Sequence, residues 1–298
     1  MRYIQLFLLT IFLLPSLHAH SLEPRSYSNA PVDLNFLVVG YSYSDGALPD
    51  IPELGLKDPK LRVDTAVLAY ARVFGFHGQS GKIDVIVPFA KINGDAILND
   101  GSVIYRETQG LGDSKIRLSY NFFGAKALSK QQYASYKQDL IIGASVQIGV
   151  PTGKYDTSRL VNISANRWSV KPAIGISKAI DDLIIECGAD AEFYTANDEF
   201  NVVQRRQQDP IYSTQAHLIY NFKHNIWIAV DANYFWGGDY KIDGIYADKK
   251  LSDSRMGATF SMPIDKQNSI KIYGSSGIST RVGTNFDLFG VAWQFHWF

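Results

Sequence analysis

The 298-residue sequence contains a single cysteine, Cys187, so no intramolecular disulfide can form. With one thiol, no multi-cysteine zinc site can be built either, and neither metal nor cofactor is expected. Charge of one sign is also missing: 29 Lys and Arg balance 29 Asp and Glu. No whole-molecule field therefore favours nucleic acid or an anionic surface, and no nucleic-acid partner is expected. After residue 19 no apolar run is long enough for a membrane helix, and no sustained 3.6-residue period appears.

What the chain does contain begins at the N-terminus. Met1-Arg2 precedes "YIQLFLLTIFLLPSL" and then "HAHS", a positive residue, an apolar run and a small-residue site in the order of a secretory signal peptide. Residues 1–19 are assigned to it, with cleavage expected after Ala19; 20–31 are expected to be a short periplasmic segment and 32–298 the folded domain. No cysteine follows the cleavage site, which excludes a lipoprotein.

Beyond it the recurrent period is two. In "SKIRLSYNFF" the row Ile116, Leu118, Tyr120 and Phe122 is mainly apolar, and Lys115, Arg117, Ser119 and Asn121 are polar; a strand with this writing has one oily face and one wet face. The same pattern recurs at 32–44, 61–75, 82–92, 112–122, 138–150, 164–178, 183–194, 211–222, 226–237, 251–262, 269–279 and 285–297. These are twelve segments, each longer than the ~5–6 residues usual in soluble sheets. Gaps at 45–60, 93–111, 151–163, 195–210, 238–250 and 280–284, mostly long, alternate with short ones at 76–81, 179–182, 223–225 and 263–268; the stretch 123–137 is long where a short turn is due. Strands of ~10 residues joined alternately by long loops and short turns describe an all-β, transmembrane, antiparallel up-and-down β-barrel of about 12 strands. Aromatic residues gather near strand ends, among them Tyr41, Tyr43, Phe76, Tyr120, Tyr234 and Trp236, where interfacial girdles belong. At the C-terminus Phe289, Val291, Trp293, Phe295 and Trp297 form one outward row, and Phe298 falls on the other parity.

Four stretches, "GLGDSKIRLSYNFFG" (110–124), "GVPTGKYD" (149–156), "NRWSVKPAIGISK" (166–178) and the closing block from Ser252 to Phe295, together resemble bacterial outer-membrane proteins grouped with a meta-cleavage pathway for phenol degradation and often labelled transporters. The resemblance runs from about residue 30 to the end. It implies a barrel in the outer membrane of a Gram-negative bacterium and, by family name, passage of small aromatic or hydrophobic compounds. It supplies no catalytic residue. In "PTGKY", Pro151 and Gly153 read as a turn and not as a phosphate loop, because no Walker spacing or helix follows.

Opposed residues of a hairpin have numbers with a constant sum, so turn positions predict pairs across the inner wall. A turn at Ile180-Asp181 pairs Lys171 with Asp190 and Ser169 with Glu192. A turn centred on His224 pairs His217 with Asp231 and Gln215 with Asn233, and one centred on Gly78 sets Arg72 opposite Asp84. Each pair contributes roughly 0.2–1 kcal/mol. With Lys115, Arg117, Arg167, Glu186, Glu192 and Arg255, these are the candidate lumen-lining residues. Their mixed charges suit either a transverse field that orients a polar solute or a network that fills the lumen. The Gly-rich segments 93–111 and 195–210 are candidate inward-folded loops. Catalysis is not expected: only His217 sits mid-strand, and Ser213 lies ~13 Å along the ladder, too far for activation. Cys187 belongs to an outward row and is expected in lipid. The function read from these patterns is a channel or transporter, the alternative a non-conducting structural or adhesive barrel. Expected partners are outer-membrane lipid, the barrel assembly machinery through the last strand, and an unidentified small solute.

Overall fold

The structure, a computed structural model, describes residues 23–47, 56–159, 161–280 and 285–298; the expected signal peptide lies outside them. In chain order the strands are β1 (Asn35–Ala47), β2 (Leu56–Phe76), β3 (Gln79–Leu98), β4 (Val103–Leu111), β5 (Ser114–Phe123), β6 (Leu140–Val150), β7 (Ser169–Ile180), β8 (Leu183–Tyr194), β9 (Asn197–Phe200) and β10 (Gln204–Gln208). They continue as β11 (Ile211–Asn221), β12 (Trp227–Gly237), β13 (Tyr240–Ile242), β14 (Ile245–Tyr246), β15 (Leu251–Pro263), β16 (Asn268–Thr280) and β17 (Asn285–Trp297). A four-residue helix, α1 (Lys130–Tyr133), precedes β6.

Pairing is antiparallel between successive barrel strands, and β1 closes on β17. Because β4 and β5 both pair with β3, they are two pieces of one interrupted strand, and the barrel has twelve. β9, β10, β13 and β14 form a separate four-stranded sheet. Closure leaves no sheet edge, the condition a sheet must meet to span hydrocarbon.

The two-faced writing resolves into an outer and an inner wall. Leu68, Leu118, Ile174, Leu218, Val230 and Phe289 are exposed on the outside, while Asp84, Gln147, Glu186, His217 and Asp231 are buried inside. Aromatics ring both ends of this outer belt. Phe76 stacks edge-on against Tyr120, and Tyr220 against Phe222, at the end that holds the short turns; Tyr212, Trp236 and Tyr234 stack at the other. Trp293, Phe295 and Trp297 stack in sequence on the last strand. Cys187 is exposed on the outward row of β8.

The segment 93–111, a candidate inward loop, is a hairpin instead: β3 runs on to Leu98 and pairs Ile97 with Val103. Its tip projects into solvent, with Tyr105 81% exposed. A ladder already in register can continue into water on backbone bonds alone, so polar, Gly-containing sequence does not stop it. The long 123–137 stretch has a different use, described below.

Replacing Leu218, at the middle of the outer belt, with Arg is predicted to cost about 2–4 kcal/mol. Urea unfolding in lipid vesicles measures it, and Tyr212→Arg, in the aromatic girdle at the strand end on the same row, is expected to cost less.

Candidate functional site: the lumen and its two ends

Turn chemistry decides which residues meet inside. The β11–β12 ladder pairs His217 with Asp231 and Gln215 with Asn233, the expected register. His217 Nδ1 lies 2.6 Å from Asp231 Oδ1, and Thr259 Oγ1 on β15 donates to Asp231 Oδ2 at 3.1 Å. The group is sealed, with His217 4% and Asp231 1% exposed.

The β2–β3 hairpin differs by one residue. His77 and Gly78 both take positive φ, at 43° and 75°, so the turn has two central residues and Phe76 pairs with Gln79. A shift of one flips the face. Arg72 therefore lies opposite Ile83 on the outer wall and reaches Asp33 at 3.0 Å; it is not a lumen partner of Asp84. Asp84 instead accepts from Arg117 Nε at 2.9 Å, with Lys82 at 3.4 Å.

The β7–β8 turn falls at Asp181-Asp182, so Ile180 pairs with Leu183. That moves the register by two and keeps the faces. Ser169 is opposite Tyr194 and Asp190 opposite Ala173, not the expected Glu192 and Lys171. Pro172, which has no N–H, interrupts this ladder between Val170↔Phe193 and Ala173↔Asp190; Lys171 comes level with Glu192. Asp190 accepts from Ser213 Oγ at 2.7 Å, which commits the one hydroxyl considered as a nucleophile to a carboxylate rather than to His217. Glu186 accepts from Ser177 Oγ at 2.8 Å. Lys115 sits among the charges of Lys171, Glu192, Glu23 and Arg117. Arg255 donates to Ser275 Oγ at 2.9 Å and lies 3.7 Å over the Phe286 ring.

The principal element that periodicity does not signal is the segment Glu23–Leu34, which folds back into the end of the barrel that carries the termini. Its Arg25 N–H donates to Glu186 Oε2 at 2.8 Å. The Arg25 guanidinium bonds Asn221 and covers Trp227 at 4.8 Å. Glu23 pairs with Arg117, which thus ties the segment to Asp84 on the wall. Tyr27 enters a groove floored by glycine. A Cβ at Gly175 would fall 2.0 Å from Tyr27 Cε2, and one at Gly143 2.7 Å from Tyr27 Cδ1. The long stretch 123–137 braces the segment from outside: Tyr133 Oη donates to the Asn29 carbonyl at 2.9 Å, Asn29 Nδ2 to the Lys126 carbonyl at 3.1 Å, and the Val32 N–H to the Leu128 carbonyl at 2.9 Å. Burial pushes the Tyr133 phenol up. The excess length of that turn is the signal that sequence offers for it. Lys271 also lies on the inner wall, outside the expected set, although Ile270 and Ile272 flank it with the same alternation.

At the opposite end, Arg167 lies against the Tyr194 ring at 4.2 Å and bonds Gln208. Arg206, from β10, lies 4.9 Å from the Tyr240 ring centroid and 5.5 Å from that of Phe200. The 195–210 segment thus caps the barrel mouth as a hairpin and carries a half-buried cation there. Among the described residues, no cluster of His, Cys, Asp and Glu has metal-binding geometry.

A family model described as "Putative MetA-pathway of phenol degradation" matches residues 42–295. No curated protein matches the chain. Among solved structures, the chain is similar to an outer membrane channel from Pseudomonas putida F1, at 21% identity and a TM-score of 0.79, over 93% of this chain and 100% of that one. It is also similar to the transport unit of the autotransporter AIDA-I from Escherichia coli, at 11% identity and a TM-score of 0.53, over 88% of this chain and 90% of that one. These likenesses concern the fold.

His217→Ala leaves Asp231 buried with Thr259 as its remaining side-chain donor, and is predicted to cost about 1–3 kcal/mol. In a cycle with Asp231→Asn, measured by urea unfolding in vesicles, the double variant is expected to lose less than the sum of the singles.

Proposed function

The chain belongs to the phenol-degradation family whose model it matches, and we propose that it is a channel of the Gram-negative outer membrane that admits small aromatic compounds. The observation that carries this reading is the way the lumen is filled. Wall glycines at 143 and 175 make room for Tyr27 of a terminal segment, and among the described residues the segment is held by hydrogen bonds, a ring contact on Trp227 and the ion pairs of Glu23 with Arg117 and Asp33 with Arg72. A barrel meant only as a scaffold could fill its interior with bulky wall side chains; here the wall is hollowed and a removable segment occupies the space. Asn121, Gln147, Ser177 and Glu186 line the wall around it, and such a surface hydrates when the segment leaves.

The aromatic solute rests on the family description, and the likeness to the Pseudomonas putida F1 outer membrane channel supports the channel reading. On this reading residues 1–19 direct export, the aromatic C-terminal strand engages the barrel assembly machinery, and the protein is not an enzyme. The commitment of Ser213 to Asp190 supports that last point. A non-conducting barrel is the second reading, favoured by the occupied lumen itself.

Planar-bilayer recordings separate the two. The wild type is expected to give small discrete conductances, and a variant lacking residues 23–33 conductances several times larger. If both proteins, shown to be folded in the bilayer, stay silent and liposomes take up no small aromatic solute, the channel reading fails.

A further inference from the structure

The mouth away from the termini holds two guanidinium groups, on the buried Arg167 and the half-buried Arg206. Arg167 is 6% exposed, and its Nη1 is buried without an acceptor among the described residues; so is Arg206 Nε. The strongest electrostatic influences on Arg206 are another cation, Arg167, and the phenols of Tyr240, Tyr155 and Tyr194. Burial lowers Arg206 to about 10, so it stays charged at neutral pH.

A structural role would ordinarily pair such cations with carboxylates. The carboxylates of this layer are turned elsewhere. Asp198 pairs with Arg205 at 3.0 Å, Glu199 accepts from Asn166 at 3.2 Å, Asp239 accepts from the backbone of Tyr240 and Lys249, and Asp243 accepts from the backbone of Arg205. Glu192, below on the inner wall, and Asp113, which accepts from Ser164 and the backbone of Gly153 and Ala165, act on Arg167, but neither is among the strongest influences on Arg206. Around the cations stand ring faces: Tyr194 on Arg167, Tyr240 and Phe200 on Arg206. The roof is the sheet of β9, β10, β13 and β14, which shares no ladder with the barrel among the described residues. It can therefore lift without breaking barrel closure.

We propose that Arg167 and Arg206 form a recognition site for an aromatic carboxylate at the outer mouth of the channel. With the roof lifted, the carboxylate accepts from Arg167 Nη1 and Arg206 Nε, the two guanidinium nitrogens buried without an acceptor among the described residues; the ring packs among Tyr194, Phe200 and Tyr240. A carboxylic acid is ionised at neutral pH, whereas an unsubstituted phenol is not, so the site favours aromatic acids over neutral phenols. The proposal rests on the channel reading and names the solute class that its outer mouth selects.

Two measurements on the full-length protein keep the readings apart. Equilibrium binding of benzoate, acetate and benzyl alcohol to protein in lipid nanodiscs needs no conduction; benzoate is expected to bind at least tenfold more tightly than the other two. Arg206→Gln and Arg167→Gln are each expected to weaken benzoate about tenfold or more, Arg206→Lys less, and Arg205→Gln, at the exposed pair with Asp198, not at all. In parallel, benzoate added to the outer side is expected to alter open-channel current in the wild type and not in Arg206→Gln. Equal binding of acetate removes the aromatic part of the proposal and equal binding of benzyl alcohol removes the charge. No benzoate binding to a conducting channel overturns the site while leaving the channel intact; silence in the bilayer with benzoate bound retains the site and overturns the channel. Heat-modifiable migration on gels confirms folding of each variant.

Discussion

Backbone polarity is the constraint on which the rest depends. Each N–H and C=O carried into hydrocarbon must be bonded to another, and a sheet achieves this only by closing on itself, as β1 does on β17. Closure then assigns one face of every strand to lipid and the other to the interior. The outer rows hold Leu68, Leu118, Leu218 and Phe289, and the inner rows hold Asp84, Glu186, His217 and Asp231. Once the apolar rows face outward, buried charge in the interior is a consequence, and the remaining question is what satisfies it.

Three kinds of partner do so, arranged along the barrel. In the wall, cross-strand groups satisfy one another, as His217, Asp231 and Thr259 do over three adjacent strands. Toward the termini, the returning segment supplies Glu23 to Arg117 and the Arg25 N–H to Glu186, while the long 123–137 turn holds that segment in place. At the other mouth, aromatic faces cover Arg167 and Arg206 without supplying acceptors to every N–H. Partners thus come from the wall itself, from a returning segment at one end and from ring faces at the other, and buried atoms without an acceptor or donor among the described residues remain at each level, Arg25 Nε, His217 Nε2 and Arg206 Nε among them.

How much of this is legible in the sequence follows from how local each cause is. Alternation is local, so the twelve strands, the outward row ending at Trp297 and the outward Cys187 can be read directly. Register depends on a turn's backbone angles. The His224 turn gives the His217–Asp231 pair, but His77 in the left-handed region moves Arg72 to the outer face, and a histidine gives little warning of that. The returning segment is not periodic, because it packs as single residues into a groove. Its trace in the sequence is indirect, in Gly143 and Gly175 on the inner rows and in a turn, 123–137, too long for its task. Arg206 lies in a loop whose polar composition hides that it folds over the mouth.

The sole cysteine allows the central claim to be tested without disturbing the wall. A nitroxide attached to Cys187 before refolding into vesicles reports which medium that face of β8 meets. If the oily rows look outward, the probe is relaxed strongly by dissolved oxygen, which concentrates in acyl chains, and weakly by a water-soluble nickel chelate. Strong relaxation by the chelate, or a probe immobilised and shielded from both, would contradict a barrel whose apolar faces meet lipid.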